Sequence, residues 1–98
     1  MEQMQAYAAE AAALMRSLGN EQRLMILCQL VDEELGVGEL LSRMPLSQSA
    51  LSQHLAVLRE ANLVQARREG LQVFYSLAPG PAKPILSLLH SIYCAEPA

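Results

Sequence analysis

The sequence predicts a mainly α-helical domain with one small β-hairpin, in the element order α-α-α-α-β-β-α. Apolar residues recur at helical spacing through most of the 98-residue chain, and only residues 64–77 alternate in the manner of strands. Hydrophobic residues make up 52% of the chain and aromatic residues only 4%, so the core must be built from leucine, alanine, methionine, valine and isoleucine. The abundance of leucine and alanine favours helices. At this length, residues 1–98 are expected to form a single domain with a thin core.

The first two helices are bounded by turn and cap residues. Apolar residues at helical spacing predict the first helix over Met4–Leu18, and Gly19 is expected to end it. Asn20 is a favourable N-cap for a second helix, Glu21–Val31. One stripe of the second helix is expected to contain Leu24, Leu27, Cys28 and Val31.

Two further helices follow an acidic turn at residues 32–34. Gly36–Met44 is predicted to form a short third helix, which Pro45 closes. Ser47 is a favourable N-cap for the fourth helix, and Asn62 fits its end.

A hairpin and a last helix complete the chain. Val64–Arg68 and Gln72–Leu77 alternate around a polar centre that contains Gly70, which predicts a two-stranded hairpin. Proline and glycine at residues 79–81 interrupt the chain after it. Pro84 can occupy the first turn of the last helix, which runs on to Tyr93.

Charge is distributed unevenly along the chain, whose net charge is −3. Residues 1–42 contain two basic and seven acidic residues, whereas residues 43–77 contain four arginines and two glutamates. Phosphate contacts depend on local rather than total charge, so the acidic average does not exclude a nucleic-acid partner.

The fourth helix separates polar from apolar side chains on a helical wheel. Its polar arc offers hydrogen-bonding groups close to the helix start, at Gln48, Ser49, Ser52 and Gln53. In the major groove, glutamine can pair with adenine through two hydrogen bonds, and serine can reach bases or phosphates. An ordinary solvated face is the alternative. His54 falls on the apolar side, which favours a packed structural histidine over a base contact or a metal ligand.

The hairpin favours the DNA-binding interpretation of that helix. Arg67 and Arg68 lie near its tip, where they could reach an adjacent phosphate or the minor groove. A helix-turn-helix followed by a β-hairpin is a winged helix. The sequence therefore predicts a winged helix-turn-helix domain whose partner is double-stranded operator DNA.

The chain resembles the ArsR/SmtB family of bacterial regulators along essentially its whole length. The resemblance is carried by ILC at residues 26–28, LSQSALSQHLAVLR at 46–59, VFYSL at 73–77 and LLHSIYC at 88–94, and it is strongest to the HlyU/BigR-type branch. It implies a homodimeric winged-helix protein that represses, or counters another repressor, at promoters. It assigns DNA contacts to Gln48, Ser49, Ser52 and Gln53, with wing contacts from Arg67 and Arg68.

The resemblance also implies that the first and last helices form the dimer interface. The apolar content, which exceeds the needs of a small monomer, agrees with that expectation. Many family members sense metals, but the stretch 35–40 has no cysteine and the last helix offers His90 alone. One imidazole cannot complete a zinc site, so no metal and no cofactor are predicted.

The two cysteines have two interpretations. A free cysteine in a cytosolic protein is most often a small buried hydrophobic residue, and a permanent disulfide is not expected there. The resemblance implies instead that Cys28 and Cys94 form a dithiol that senses persulfide, polysulfide or oxidants, and that a bridge between them lowers operator affinity. A DNA-binding regulator with purely structural cysteines remains the alternative.

Other classes of protein have little support in the sequence. A CxxC motif, a nucleophile–base pair and a phosphate-binding loop are all lacking, so no enzyme is predicted. No apolar run approaches the ~20 residues of a membrane span, and the acidic N-terminus lacks the basic region of a signal peptide. The expected location is the cytoplasm. A protein-interaction dimer without DNA binding stays open, because the basic charge is low.

Overall fold

The computed structural model describes residues 1–94, which form five α-helices and three short strands. In chain order these are α1 (Glu2–Leu18), α2 (Glu21–Gln29), β1 (Leu35–Gly36), α3 (Val37–Arg43), α4 (Gln48–Glu60), β2 (Val64–Glu69), β3 (Gln72–Leu77) and α5 (Ala82–Tyr93). The predicted mainly helical fold with a winged helix-turn-helix and a hairpin is confirmed. None of the helices in this described part is long and apolar enough to cross a membrane.

Side-chain caps start the helices that the sequence predicted most accurately. The Asn20 side chain accepts a hydrogen bond from the Arg23 backbone N–H at 3.0 Å, and α2 begins there. The Ser47 hydroxyl accepts one from the Ala50 N–H at 3.1 Å at the start of α4. Beyond the end of α4, Asn62 has a φ of 60°, the left-handed conformation that stops a helix.

The sequence did not predict β1. Its two residues pair with β3 in antiparallel fashion, Leu35 opposite Tyr75 and Gly36 opposite Phe74, so the sheet has the order β1-β3-β2. A two-residue strand is too short to show an alternating pattern, and it forms only because β3 is there to pair with it. It fixes the acidic turn at residues 32–34 beside the hairpin.

The two faces of the sheet have different surroundings. Val64 is only 2% exposed and shares its face with Ala66 and Arg68, because alternate residues of a strand point to the same side. This is the inner face, which packs on the helices. Arg67 lies on the outer face with its cross-strand partner Phe74.

The core lies between α2, α3, α4, α5 and the inner face of the sheet, and the end of α1 contributes one residue to it. Its buried residues are Leu18, Ile26, Leu27, Leu30, Leu35, Leu40, Met44, Leu51, Leu55, Leu58, Leu63, Val64, Ala82 and Leu86. Three of them come from α4, whose opposite side is thereby left to solvent. Packing of the apolar side of α4 thus determines which of its side chains face outward.

Replacing Leu58 by alanine is expected to lower the free energy of unfolding by about 2–5 kcal/mol, because Leu58 is fully buried and the space it leaves can close only in part. Chemical denaturation followed by circular dichroism measures this change. Ala56→Gly on the exposed side of α4 is a control that leaves the core intact, and its cost should be only about 1 kcal/mol. Equal losses in the two variants would contradict the assignment of Leu58 to the core.

The predicted position of Cys28 on the apolar stripe of α2 is wrong. The buried residues of this helix and its end are Ile26, Leu27 and Leu30, and Cys28 is exposed. Cys28 lies about 150° round the helix from the centre of that buried stripe, since each residue turns the helix by about 100°. The helix also ends at Gln29, two residues before the predicted end.

Candidate DNA interface and thiol pair

Helix α4 presents the predicted DNA contacts to solvent. Gln48, Ser49, Ser52 and Gln53 are all exposed, and all lie in its first two turns. The side chains of Leu51, Leu55 and Leu58 hold the other side of the helix in the core. The structure thus brings the four polar residues together on one exposed face of α4.

His54 lies at the margin of this surface. Its side chain is half-buried, in agreement with the wheel, which put it toward the apolar side. It makes no side-chain hydrogen bond with the residues described, so the expected hydrogen-bonded packing is found only in part. Nothing in its surroundings assigns it a role in chemistry.

The hairpin of β2 and β3 forms the wing, and β2 contacts α4. Arg67 on the outer face of the wing is held by two glutamates. Its Nη2 and Nε atoms donate to the Glu34 carboxylate at 2.7 and 3.1 Å, and its Nη1 donates to Glu69 Oε2 at 2.7 Å. Its guanidinium carbon also lies 4.8 Å from the centre of the Phe74 ring, a cation–π distance.

These contacts shift the ionisation of both partners toward the charged forms. The hydrogen bond from Arg67, aided by its positive charge, holds the pKa of Glu34 below its ordinary value. The hydrogen bonds to Glu34 and then Glu69 raise the pKa of Arg67. Both side chains are therefore ionised at neutral pH.

Arg68 is in a different situation, although it is the next residue. It lies on the inner face of the wing, the face shared with Val64 and turned toward the helices, but beyond the end of the core it is exposed. Within residues 1–94 it makes no ion pair. Its guanidinium is available for a phosphate.

A second arginine, at the end of the helix that precedes α4, is also paired with the acidic turn. Arg43 at the end of α3 lies 3.6 Å from Glu33 and donates to the Gln29 side chain at 3.4 Å. Two of the four central arginines are therefore neutralised by residues 33 and 34. The division of charge along the sequence placed those two glutamates in a separate, acidic part of the chain and missed this proximity.

The two cysteines are free thiols, and both are exposed. Cys28 lies on α2, and Cys94 directly follows α5, which packs against α2. Partial desolvation of its sulfur raises the pKa of Cys28, and the negative charge of an ionised Cys94 raises it further. Neither cysteine is the buried core residue that the structural alternative requires.

Large apolar side chains are exposed on the two terminal helices. Six of them are each at least 58% exposed: Met4, Tyr7 and Met15 of α1, and Leu88, Ile92 and Tyr93 of α5. Helix α1 buries only Leu18 at its end.

A metal-binding group is not found in the described part of the chain, where no three histidine, cysteine or acidic side chains come together.

A helix-turn-helix with an exposed polar recognition helix, followed by a β-wing, defines a winged-helix DNA-binding regulator. The comparisons with known proteins agree. Residues 20–66 match the family described as bacterial regulatory protein, arsR family. The transcriptional activator HlyU of Vibrio cholerae is 51% identical over 94 residues, which cover 96% of this chain and 87% of that protein. The chain belongs to the arsR family.

Solved structures of similar proteins identify a narrower group within the family. Reduced HlyU from Vibrio cholerae superimposes with a TM-score of 0.88 at 51% identity, covering 96% of this chain and 99% of the other. The transcriptional repressor BigR from Xylella fastidiosa gives a TM-score of 0.87 at 41% identity, with 97% of each chain covered. The chain is a transcriptional regulator of the HlyU/BigR type. It belongs to a group of DNA-binding regulators, not of enzymes.

Proposed function

We propose that this regulator acts as a homodimer that binds double-stranded operator DNA through α4 and the wing, and that a bridge between Cys28 and Cys94 lowers its affinity for the operator. The observation that carries the DNA contacts is the exposed polar face of α4. Gln48, Ser49, Ser52 and Gln53 contact the major groove, and the wing contributes the remaining contacts. Such a regulator acts where bacterial DNA is, in the cytoplasm.

The exposed apolar side chains of α1 and α5 support the homodimer. In a lone protomer, they would leave large apolar surfaces in contact with water on both terminal helices. A second copy of the chain can cover them by two-fold symmetry. Two recognition helices would then meet successive major grooves, about 34 Å apart along the DNA.

The thiol switch is supported by the exposure of both cysteines and by the packing of α5, which ends directly before Cys94, against α2, which carries Cys28. One thiolate attacks a hydrogen polysulfide, taking up one sulfur as a persulfide and releasing the shortened polysulfide. The other thiolate then attacks the persulfide sulfur bonded to the protein and expels hydrosulfide. The two thiols together lose two electrons, which reduce the polysulfide. A relative whose solved structure is described as reduced HlyU is consistent with a redox-active branch.

The direction of regulation follows from the position of the operator. HlyU is named an activator and BigR a repressor. A bound dimer that blocks the polymerase represses transcription. The same dimer activates transcription where it displaces another repressor, so one DNA-binding mechanism serves both roles.

The alternative function is DNA binding without a thiol switch, with the cysteines purely structural. Their exposure in the protomer favours the switch. Intact-mass measurement on reduced and polysulfide-treated protein decides between the two. The switch predicts an intramolecular bridge, seen as the loss of two hydrogens or the gain of bridging sulfur, whereas stable free thiols after treatment would favour the alternative.

The DNA contacts are tested on a duplex that the wild-type protein selects from a random-sequence library. Gln48→Ala and Gln53→Ala are each expected to weaken binding of the dimer to the selected duplex by about 30- to 2 × 10⁴-fold, because a contact of about 1–3 kcal/mol is lost in each of the two half-sites. Affinity for an unrelated duplex should change little, because phosphate contacts are retained. Fluorescence anisotropy measures both affinities.

Gln5→Ala provides the matched control, because Gln5 is exposed on α1, outside α4 and the wing, and lies about 110° round the helix from the centre of the apolar stripe of Met4, Tyr7 and Met15. It should leave both affinities unchanged. Equal losses on the selected and the unrelated duplex in the α4 variants would show that these residues do not contact bases.

A further inference from the structure

The wing carries two neighbouring arginines that point in opposite directions. Arg68 lies on the inner face of the sheet, the side on which α4 packs, and is unpaired within the described chain. Arg67 lies on the outer face, opposite Phe74 in the register of β2 and β3. The two side chains therefore cannot make equivalent contacts with one DNA surface.

The guanidinium of Arg67 is already occupied at each of its three nitrogens. Two of these nitrogens donate hydrogen bonds to the Glu34 carboxylate in the bidentate geometry that arginine forms with a carboxylate, and the third donates to Glu69. One positive and two negative charges leave this cluster with a net negative charge. A DNA phosphate would be repelled by the cluster unless Arg67 first broke both pairs.

The register of the sheet explains why Glu34 and Arg67 meet although they are 33 residues apart. Gly36 in β1 lies opposite Phe74 in β3, and Phe74 lies opposite Arg67 in β2. Glu34 directly precedes β1, and its carboxylate lies 2.7 Å from Arg67 Nη2. Arg67 reaches across the Phe74 ring, at 4.8 Å, to the acidic turn that follows α2.

We infer that Arg67 is a positioning residue, which fastens the wing to the acidic turn through Glu34, and that the phosphate contact of the wing belongs to Arg68 alone. This inference rests on the proposed DNA-binding role of the wing. On this inference, the Glu34–Arg67 pair holds the hairpin in the orientation from which Arg68 can reach a phosphate of the DNA backbone. The expectation that the two arginines contact DNA together is thereby replaced.

Neutralising Glu34 separates the two roles, because they predict opposite changes. If Arg67 fastens the wing, Glu34→Gln and Arg67→Gln each weaken binding to the selected duplex by about three- to tenfold, and the double variant is no weaker than either single one. If Arg67 were a phosphate contact that Glu34 restrains, Glu34→Gln would free it, tighten binding and steepen the dependence on salt.

The matched control is Glu33→Gln. It makes the same change of charge in the same turn, but Glu33 pairs with Arg43 rather than with the wing. The DNA affinity of Glu34→Gln is compared with that of Glu33→Gln. Both variants lose one negative charge near the DNA, so the comparison cancels the general gain in affinity that this loss produces.

Arg67→Lys provides a second discrimination. Lysine binds phosphate well but cannot form the bidentate contact with a carboxylate. If Arg67 holds the wing through Glu34, Arg67→Lys should therefore bind the selected duplex more weakly than wild type. Full affinity in Arg67→Lys, tighter binding in Glu34→Gln than in Glu33→Gln, or unchanged affinity in all Arg67 and Glu34 variants would each overturn the inference.

The salt dependence identifies the phosphate contact itself. For a dimer, Arg68→Gln should lower the slope of log affinity against log salt by about 1.8, since each lost phosphate contact removes about 0.9. An unchanged slope in Arg68→Gln refutes the wing contact of the proposed function. The role of Arg67 in holding the wing can still be tested if Arg68 proves not to contact phosphate. Amide hydrogen exchange at residues 64–77 of the free protein is then expected to be faster in Glu34→Gln and Arg67→Gln than in wild type.

Discussion

Replacing Ile92 by glutamate is expected to convert the proposed dimer into monomers and to weaken operator binding by about 10²- to 10⁴-fold. Ile92 is exposed on the apolar side of α5, so the protomer itself can tolerate a carboxylate there. In a dimer interface the same carboxylate would be buried without a partner, at a cost that dissociates the protomers. Two linked half-site contacts gain about 10²- to 10⁴-fold over one, and monomers lose that advantage.

Analytical ultracentrifugation measures the change in mass, and anisotropy on the selected duplex measures the change in affinity. Ser87→Glu is the matched control, because Ser87 is exposed on the opposite side of the same helix. It should leave both quantities unchanged. A wild-type protein that is monomeric at micromolar concentration, or an Ile92→Glu variant that stays dimeric, would contradict the proposed interface.

The sequence predicted the helices well where caps and turn residues mark their ends. Asn20 and Ser47 start α2 and α4 by hydrogen bonds to residues three positions ahead, and such contacts are local enough to be inferred from the sequence. The strand β1 could not be inferred, because its two residues are extended only through pairing with β3, about 40 residues later. The third strand of the sheet thus depends on tertiary structure rather than on a local pattern.

The candidate site, like the fold, was predictable from the sequence only where it depends on local patterns. The polar face of α4 depends on helical periodicity, so the sequence alone predicts that Gln48 and its neighbours share one surface. The pairing of Arg67 with Glu34 depends on the sheet register across three strands, which no segment of sequence contains. Counting charges along the chain consequently overestimated the basic character of the wing.

The exposure of Cys28 shows a further limit of pattern analysis. Helical spacing predicts that Cys28 shares the apolar stripe of Leu24, Leu27 and Val31. Only the direction of packing, set by Ile26, Leu27 and Leu30, leaves its thiol on the outside of α2. The interaction with Cys94 then depends on the contact of α5 with α2, which joins the two ends of the chain.

Treatment of the reduced protein with polysulfide is expected to weaken operator binding by about 5- to 150-fold, the effect of a coupling free energy of about 1–3 kcal/mol. A bridge between Cys28 and Cys94 ties the end of α5 to α2. Since α5 belongs to the proposed dimer interface, a shift of this helix changes the distance between the two recognition helices. Binding to adjacent major grooves tolerates little change in that distance.

The rate of the reaction should rise with pH, because the thiolate is the nucleophile and desolvation together with Cys94 raises the pKa of Cys28. At neutral pH less of Cys28 is ionised than in a freely solvated cysteine. Raising the pH toward that elevated pKa increases the ionised fraction and hence the rate of any step in which Cys28 attacks. Stopped reactions analysed by intact mass give this rate at each pH.

Cys94→Ser is expected to abolish the response to polysulfide and to leave the affinity of the reduced protein intact, because Cys94 is exposed and does not belong to the described core. Cys28→Ser should behave alike, since either thiol alone can become a persulfide but cannot close a bridge. Reversal of the wild-type effect by dithiothreitol controls for irreversible oxidation. Equal weakening of wild type and Cys94→Ser by polysulfide would locate the response outside this thiol pair and would refute the switch while leaving the DNA-binding function in place.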